Sequence, residues 1–549
     1  MPQSYSKKRV RDRALLVKWD KLPDAHFARH KLSREAVKAA QLQLQGYIVL
    51  PGDTNYDKDR ALFDPLFDPH PIMIVYCAAT SDVPIALGLA RSNNSPFTLR
   101  SSGHCSAGFS GGDGVMIDVS LMNSIAVDAT NLTVTVGPGC QFGNLHKTLA
   151  QYGFHVPGGE CPDVCVAGYV QGGGYGFTSV TFGMSSDSVV SFQVILADGS
   201  LVTASQDTNY DLWWALRGGT GGTFGVVVGI TYFLRQLGDC FGFALLWPLQ
   251  SDQDFQNATA VMMLLQRDYM LQSQYGSNIN LQVTFCYQNQ IYPGQPPPDG
   301  TPLQPYFMIR GLYVGDPAVG MAAIAPLQVA AGCITQWTLT GSFPDLNDKL
   351  LNYPQSMPDI VGDTGPYFDK SSRYVTRNLS ADEWMALLRY WVTSPVNGTY
   401  GYLEFYGGAI NGYPRDQSAF IHRTSAFNAV MDTLWYDEVG GKNAKIFLDG
   451  WNDLIAPAWN GEVYQNYCSL SVPDYMGNYW QDAVFGLWAV KLKYDPGNFF
   501  TFEQAIASPM ANHPPLPPGE PGPVIELPPM LTAALDQPIH YLASAKKSA

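Results

Sequence analysis

Two glycine-containing turns decide the fold that this sequence encodes: Arg100-Ser101-Ser102-Gly103-His104 and Pro157-Gly158-Gly159-Glu160-Cys161-Pro162. The first turn offers an imidazole and the second a thiol, 57 positions apart (161 minus 104). The triple glycine Gly172-Gly173-Gly174 follows closely. Because both side chains are nucleophiles, one redox cofactor held by both would explain the arrangement.

Glycine clusters are the broadest signal in the chain. Glycine lets backbone N–H groups approach an anion closely, as the pyrophosphate of a dinucleotide requires. None of the clusters has the strand–GxGxxG–helix context of a Rossmann fingerprint, since Gly174-Tyr175-Gly176 lacks the downstream spacing. The sequence therefore predicts a cofactor-binding fold of another kind.

The composition is that of a globular protein with several domains. The 549 residues are 46% hydrophobic and 15% charged, and the net charge of −14 argues against a nucleic-acid partner. Residues 1–40 carry eleven Lys/Arg and four Asp/Glu. We interpret this basic arm as a solvated helical extension.

Apolar runs and cysteines indicate the compartment. The chain has no 18-residue apolar run and no secretory signal, so we expect no membrane partner and a cytoplasmic protein. Secretion stays open if the N-terminus is processed. Nine cysteines without an obvious framework suit a reducing compartment. Cys161 and Cys165 form a C-x3-C pair without a matching His/Cys pair, so we expect no metal site.

Hydrophobic patterning divides the chain into five segments: an N-terminal arm with a helix (1–45), a first domain (46–235), a second domain (236–475), a return to the first domain (476–506) and a proline-rich tail (507–549). Strands are expected at 71–76, 97–100, 115–119, 132–136, 189–196, 226–232, 279–287, 306–314 and 400–406. Longer strands alternating with helices after residue 236 predict a second α+β unit.

Further short motifs run from about Gly46 to Gln504. They are Arg100–His104 for R-x-G-G-H with Ser102 replacing Gly, Cys161–Val164 for C-P-x-V, Gly168–Gly176 for G-H-x-x-G-G-G-x-G with Tyr169 replacing His, Trp213–Gly219 for W-A-x-R-G-G, Tyr464–Tyr467 for Y-x-N-Y, and Asp495–Phe500 for D-P-x-N-x-F. In these motifs the chain resembles the berberine-bridge-enzyme-like oxidases of the vanillyl alcohol oxidase/p-cresol methylhydroxylase flavoprotein superfamily.

The resemblance implies an α+β, two-domain p-cresol methylhydroxylase-type FAD-binding fold with an antiparallel-sheet substrate domain. It also implies FAD linked covalently through His104 and Cys161, which suits an imidazole and a thiolate as nucleophiles. Cys165 is a rival position for the thiol link, and Cys105 is expected to be a packed thiol. The cofactor is expected to contact Arg100, Ser101, Ser102, Gly103, His104, Gly159, Cys161, Val164, Gly168, Gly172, Gly173, Gly174, Gly176, Val228, Tyr464 and Asn466.

A catalytic base is also needed, because hydride leaves a carbinol carbon most easily when the hydroxyl proton departs with it. The resemblance assigns this role to Tyr467, which needs a nearby cation, a hydrogen bond or the field of the flavin to act at neutral pH. Glu404, on an expected strand, is the second candidate for base or substrate binding. His422 and Arg423 are expected to be structural.

The leading hypothesis is an FAD-dependent oxidase that converts the C1 hemiacetal of a sugar or oligosaccharide to a lactone. Val164 resembles the small residue of oxidases at a position thought to gate oxygen, so O2 is the expected acceptor and hydrogen peroxide the product. The same flavin could instead oxidise or cyclise a secondary metabolite. The alternatives of another class are a non-catalytic flavin- or carbohydrate-binding protein, or a structural protein. The oligomeric state stays open.

Overall fold

A computed structural model describes residues 2–271, 273–289, 303–351, 366–395 and 399–507. The proline-rich tail expected at 507–549 lies, apart from Ala507, outside these residues. The strands are β1 (Tyr47–Val49), β2 (Met73–Tyr76), β3 (Phe97–Arg100), β4 (Val115–Asp118), β5 (Ile125–Asp128), β6 (Thr133–Val136), β7 (Phe154–His155), β8 (Val189–Ile195), β9 (Leu201–Ser205), β10 (Val226–Phe233), β11 (Arg235–Gln236), β12 (Cys240–Pro248), β13 (Ile279–Asn289), β14 (Leu303–Tyr313), β15 (Ile334–Gly341), β16 (Tyr367–Val375), β17 (Tyr400–Phe405) and β18 (Phe427–Trp435).

Helices cover the sheets and connect most of the strands. They are α1 (Pro2–Asp20), α2 (Asp24–Arg29), α3 (Arg34–Gln43), α4 (Tyr56–Arg60), α5 (Asp82–Ser92), α6 (Phe142–Ala150), α7 (Val166–Gln171), α8 (Ser179–Phe182), α9 (Tyr210–Ala215), α10 (Asp252–Asp268), α11 (Pro317–Gln328), α12 (Phe343–Leu351), α13 (Ala381–Trp391), α14 (Gly408–Gly412), α15 (Glu438–Ile455), α16 (Tyr475–Trp480) and α17 (Val484–Tyr494). In the described part of the chain, none of these helices has the length and apolarity needed to cross a membrane.

The N-terminal arm is packed against the protein, which differs from the solvated extension expected from its charge. It forms three helices, and Trp19 is fully buried in the core beneath β1 and β2. The Gln41 amide donates to Asp12 over 3.0 Å, and its oxygen accepts from the Ile48 N–H over 2.8 Å. The arm is therefore held to the first domain by both apolar packing and buried hydrogen bonds.

The first sheet positions the His104 turn. Its strand order is β1-β2-β4-β3, with β2, β4 and β3 mutually parallel and α5 connecting β2 to β3. All four residues of β2 and of β4 are buried, which accounts for their continuous apolar runs. The turn at residues 101–104 follows the carboxyl end of β3, the edge where open α/β sheets bind ligands.

The second sheet is antiparallel, with the order β5-β6-β10-β8-β9. Its hydrophobic core also contains residues from the far end of the chain, among them Leu487 on α17 and Ile506. Val134 and Ile230 are fully buried in the same core. The segment after residue 475 therefore completes the core of this sheet.

The third sheet has seven antiparallel strands in the order β15-β12-β14-β13-β17-β18-β16. Successive side chains along each strand point to opposite faces of the sheet, and the two faces have different neighbours. Leu403 and Phe405 on β17 pack with α10, α13 and α15 in the largest core, whereas Tyr402 lies in a separate cluster on the opposite face. This second face points toward the glycine-rich turns of the first two sheets.

A buried ion pair attaches the last helix to the first domain. The Lys491 ammonium, which is fully buried, donates to Asp495 over 2.7 Å and to the Thr223 and Phe500 carbonyls over 2.6 Å. Asp495 also accepts from the Phe500 N–H over 2.8 Å. The charge is thus neutralised and every ammonium proton is used.

We expect Lys491→Met to destabilise the protein by about 3–5 kcal/mol, because it leaves the Asp495 carboxylate buried without its cation. The measurement is urea unfolding followed by tryptophan fluorescence. The matched control is Lys493→Met on the same helix, whose ion pair with Asp211 is exposed and should contribute about 1 kcal/mol or less. Equal losses in the two variants would contradict the assigned role of the buried pair.

Candidate active site

A cleft of about 450 Å³ opens between the glycine-rich turns and the second face of the seven-stranded sheet. We call it the central cleft. One wall is formed by residues 100–106, 159–161 and 220–222. The other wall carries side chains from β13, β14, β16, β17 and β18, and the segment 464–468 lines it too. The structure thus brings both turns identified in the sequence into one site.

The His104 turn is held from below by a buried ion pair. The Arg100 guanidinium at the end of β3 donates to Asp118 at the end of the neighbouring strand β4. Gly103 has φ +77°, a backbone conformation that favours glycine. The Ser102 hydroxyl accepts from the Cys165 N–H over 3.1 Å and so joins the first turn to the Cys161 loop. Arg100, Ser101, Ser102 and Gly103 all line the cleft.

His104 is half-buried and has one free ring nitrogen. Its ring stacks on Phe63 with 4.7 Å between centroids, and Nε2 lies 3.6 Å from the Asp163 carboxylate. Nδ1 is buried, and no group in the described residues hydrogen-bonds to it. An imidazole nitrogen that is buried beside a cavity and lacks a partner is suited to a bond with a bound molecule.

Cys161 and Cys165 differ in accessibility. The Cys161 side chain is exposed and lines the central cleft. The Cys165 thiol is buried and donates to the Gly139 carbonyl over 3.4 Å. Of the two thiols, Cys161 is therefore the accessible one.

Other expected cofactor contacts divide into two groups. Gly159, Val164, Gly168, Tyr464 and Asn466 line the central cleft. Gly172, Gly173, Gly174, Gly176 and Val228 do not line it, and their contact with a cofactor stays a prediction.

The triple glycine allows close packing of chain segments. A Cβ at Gly172 would lie 2.0 Å from the Asn466 side chain, and one at Gly174 would lie 2.4 Å from the Tyr169 ring. The Tyr464 hydroxyl accepts from the Gly174 N–H over 2.8 Å and from the Tyr175 N–H over 3.2 Å. These contacts fix the 464–468 segment against the glycine turn.

The two expected catalytic residues form a hydrogen-bonded pair. The half-buried Tyr467 hydroxyl donates to the carboxyl oxygen Oε1 of Glu404 on β17, and the Asn428 amide donates to Oε2 over 3.1 Å. Burial raises the pKa of Glu404 to about 8 and raises the pKa of Tyr467 well above its usual range. Tyr467 lines the cleft and Glu404 lies behind it. At neutral pH the carboxyl group is therefore the member of the pair that can gain or lose a proton.

A cation lies beside this pair that the sequence did not reveal. The Lys370 ammonium on β16 lies 4.5 Å from the centre of the Tyr467 ring. It donates to the Tyr402 hydroxyl and to Asp432, both over 2.8 Å. In the sequence, Lys370 is only a charged residue within a strand, and this does not indicate which residues of other strands lie beside it.

A second buried cluster was missed for the same reason. Arg310 on β14 donates to Tyr400 over 2.7 Å and to Glu160 over 3.2 Å. It also donates to Gln282, which in turn donates to Glu160 over 2.9 Å. Glu160 immediately precedes Cys161, so this cluster links the thiol loop to the seven-stranded sheet.

His422 and Arg423 have the structural role expected of them. His422 is fully buried, lies 2.8 Å from Glu462 and stacks on Tyr374 at 4.2 Å. Arg423 pairs with Asp187 over 2.7 Å. Across the described residues, no three His, Cys, Asp or Glu side chains converge in a way that could hold a metal ion.

Two family profiles match this chain. One, described as "FAD binding domain", matches residues 71–205, and the other, described as "Berberine and berberine like", matches residues 463–507. The first contains the His104 and Cys161 turns and the second contains Tyr464, Asn466 and Tyr467. The two matched segments are the ones that meet at the central cleft.

Relatives that match over most of their length are named oxidoreductases or oxidases. The chain is 27% identical to the uncharacterized FAD-linked oxidoreductase YvdP of Bacillus subtilis, over 84% of this chain and 98% of the relative. It is 26% identical to the carbohydrate oxidase of Microdochium nivale, over 86% and 95%. The solved structure of Physcomitrella patens BBE-like 1 superposes with a TM-score of 0.74 at 24% identity, over 86% of this chain and 99% of that one, which shows the fold.

The residues of the cleft fit FAD. Nδ1 of His104 is buried and unpaired among the described residues, the Gly103 turn leaves room beside the sheet edge, and the exposed thiol of Cys161 faces the same cavity. The fold class expected from the sequence, a two-domain α+β FAD-binding fold with an antiparallel-sheet second domain, is confirmed. The chain is therefore an FAD-linked oxidoreductase that resembles the berberine-bridge-enzyme-like enzymes in its two matched segments.

Proposed function

We propose that this protein is an oxidase that removes hydride from the CH–OH group at C1 of a sugar or oligosaccharide, giving the lactone, with O2 as acceptor and hydrogen peroxide as product. The observation that carries the proposal is the Tyr467–Glu404 pair at the wall of the central cleft. Oxidation of an alcohol needs a group that takes the hydroxyl proton as the hydride leaves. This pair supplies such a group.

The proton has a defined path in this arrangement. Tyr467 meets the substrate hydroxyl, and its own proton passes along the existing hydrogen bond to Glu404. Glu404 is buried and its pKa is raised to about 8, so it holds the proton readily at neutral pH. Lys370 over the Tyr467 ring stabilises negative charge that develops on the phenol oxygen. FAD held in the cleft would supply the two-electron acceptor, with O2 as the final oxidant.

The lining of the cleft supports a hydroxyl-rich substrate. The wall formed by the seven-stranded sheet presents the side chains of Gln282, Tyr400 and Tyr402, and Phe368 adds an aromatic surface. Aromatic faces next to hydrogen-bonding groups suit a sugar ring, which has apolar C–H faces and polar edges. One relative is named a carbohydrate oxidase, in agreement with this substrate class.

FAD is proposed to be linked at both His104 and Cys161. The free Nδ1 of His104 and the exposed thiol of Cys161 support this assignment. Val164, three residues after Cys161, lines the cleft with a small side chain and supports the access of O2.

The test of the function is anaerobic mixing of the holoenzyme with sugars. We expect cello-, xylo- or chito-oligosaccharides to bleach the flavin, and readmitted O2 to give one hydrogen peroxide per substrate oxidised. A panel of aromatic alcohols and benzylisoquinoline-type amines is the comparison. Bleaching by that panel and not by sugars would overturn the substrate class in favour of secondary metabolites. No bleaching by either panel would indicate a binding protein.

The linkage is tested by acid precipitation. We expect the yellow colour to stay in the pellet for wild type, for His104→Ala and for Cys161→Ala, because one link is enough to retain FAD. The double variant should release the colour. Cys165→Ala is the matched control, since its thiol is buried and already bonded to Gly139. Release of colour from the wild type would refute covalent attachment.

The proton path predicts a pH dependence. Glu404 accepts a proton only as the carboxylate, and its pKa is about 8. The rate of flavin reduction should therefore rise about tenfold per pH unit below 8 and level off above it.

Glu404→Gln should remove this inflection and lower the rate about 10²- to 10⁴-fold. Tyr467→Phe should lower the rate similarly, and the double variant should lose no more than either single one, since the residues act as a unit. Tyr406→Phe is the control, because its buried hydroxyl bonds Tyr374 and lies outside the pair. A wild-type inflection that persists in Glu404→Gln would exclude Glu404 as the acceptor.

A further inference from the structure

Two cysteines from distant parts of the chain meet in the wall of the central cleft. Cys105 directly follows His104, and Cys468 directly follows Tyr467. They are 363 positions apart in sequence, yet their sulfur atoms lie 3.5 Å from each other. Both residues line the cleft. The pair therefore connects the turn proposed to hold FAD with the segment proposed to hold the proton-accepting phenol.

The surroundings of the two thiols make them chemically different. The thiols of Cys105 and Cys468 share a hydrogen bond. The Ser106 hydroxyl lies 3.7 Å from the Cys468 sulfur and donates to the Cys468 carbonyl over 2.6 Å. The hydrogen bond from Cys105 lowers the pKa of Cys468 to about 7, and the same bond raises the pKa of Cys105. Cys468 is therefore the more acidic of the two thiols.

A thiolate next to a thiol is the arrangement that reacts with peroxides to give a disulfide. The other cysteine sulfurs near the cleft have different neighbours. Cys165 and Cys140 are buried, and their thiols bond backbone carbonyls. Cys161 is the thiol assigned to the cofactor.

We propose that Cys105 and Cys468 are a peroxide-sensitive dithiol that closes to a disulfide and so crosslinks the His104 turn to the Tyr467 segment. The Cys468 thiolate attacks one oxygen of hydrogen peroxide, the O–O bond breaks, and a sulfenic acid and hydroxide form. The Cys105 sulfur then attacks the Cys468 sulfur, and its proton passes to the departing sulfenic oxygen, which leaves as water. The hydroxide from the first step takes up the proton that Cys468 released to solvent when it ionised. In sum, two thiols and one hydrogen peroxide give one disulfide and two waters.

The source of the oxidant rests on the proposed function, in which hydrogen peroxide is released into the cleft that these thiols line. The consequence is inhibition by the product. To form a bond of about 2.05 Å, the sulfurs must approach by about 1.5 Å, and we expect this approach to shift the segment that carries Tyr467. A displacement of about 1 Å can cost up to a hundredfold in rate, so we expect turnover to fall by about tenfold.

The test is peptide mapping of the holoenzyme treated with added hydrogen peroxide and digested with trypsin without reduction. We expect the peptide 101–147 to be joined to the peptide 446–491, and dithiothreitol to separate them and restore turnover. Cys105→Ser and Cys468→Ser should each abolish the joined species. Cys333→Ser, which removes a half-buried thiol elsewhere, should leave it unchanged. Cys140 lies in the same tryptic peptide as Cys105. Loss of the joined species in Cys105→Ser would assign the disulfide to Cys105 and not to Cys140.

The added oxidant separates this inference from the proposed function. Crosslinking by added peroxide together with no peroxide production from sugars would sustain the dithiol and overturn the oxidase. Suppose instead that sugars give hydrogen peroxide but that added peroxide, at a dose that inactivates the enzyme, forms no crosslink. This result would sustain the oxidase and overturn the dithiol. Reversible inactivation that persists in Cys105→Ser would also overturn the proposal, because another group would then be the target.

Discussion

The contact between the Tyr464 hydroxyl and the glycine turn is the constraint on which the central cleft depends. Two backbone N–H groups, those of Gly174 and Tyr175, donate to one phenol oxygen that is fully buried. Asn466 fills the space that a side chain at Gly172 would occupy. Tyr467 and Cys468 follow at once, so this contact sets the position of the proposed proton path and of the thiol pair relative to the His104 turn.

Burial gives the polar groups of the cleft their character. Away from water, each charge is stable only beside a partner, and Lys370 with Asp432 and Arg310 with Glu160 meet this requirement. Glu404 has no cation in direct contact among the described residues and accepts hydrogen bonds from Tyr467 and Asn428. It therefore keeps a high proton affinity, which a surface carboxylate would not have.

The sequence predicted the framework of the fold better than the walls of the site. The strand expected at 97–100 matches β3, and the run 226–232 differs from β10 by one residue, because alternation and flanking turns mark such strands. Arg310 and Lys370 were missed, because the sequence does not show which residues of other strands lie beside a charged residue in a strand. Gly172 lies against Asn466 at a place where a side chain would not fit, and its contact with a cofactor stays a prediction. Glycine required for close approach looks the same in sequence whether the neighbour is a ligand or another part of the chain.

The late return of the chain to its first core has a consequence for biosynthesis. Leu234 and Val463 belong to the same core, and 229 positions separate them (463 minus 234). At about 5–20 residues per second, a ribosome needs roughly 10 to 50 s to cross that interval. Throughout it, the apolar surface that the last helices cover is open to water and to chaperones. The lining of the central cleft includes Phe502 and Gln504, so it is complete only after α17 and these residues have emerged.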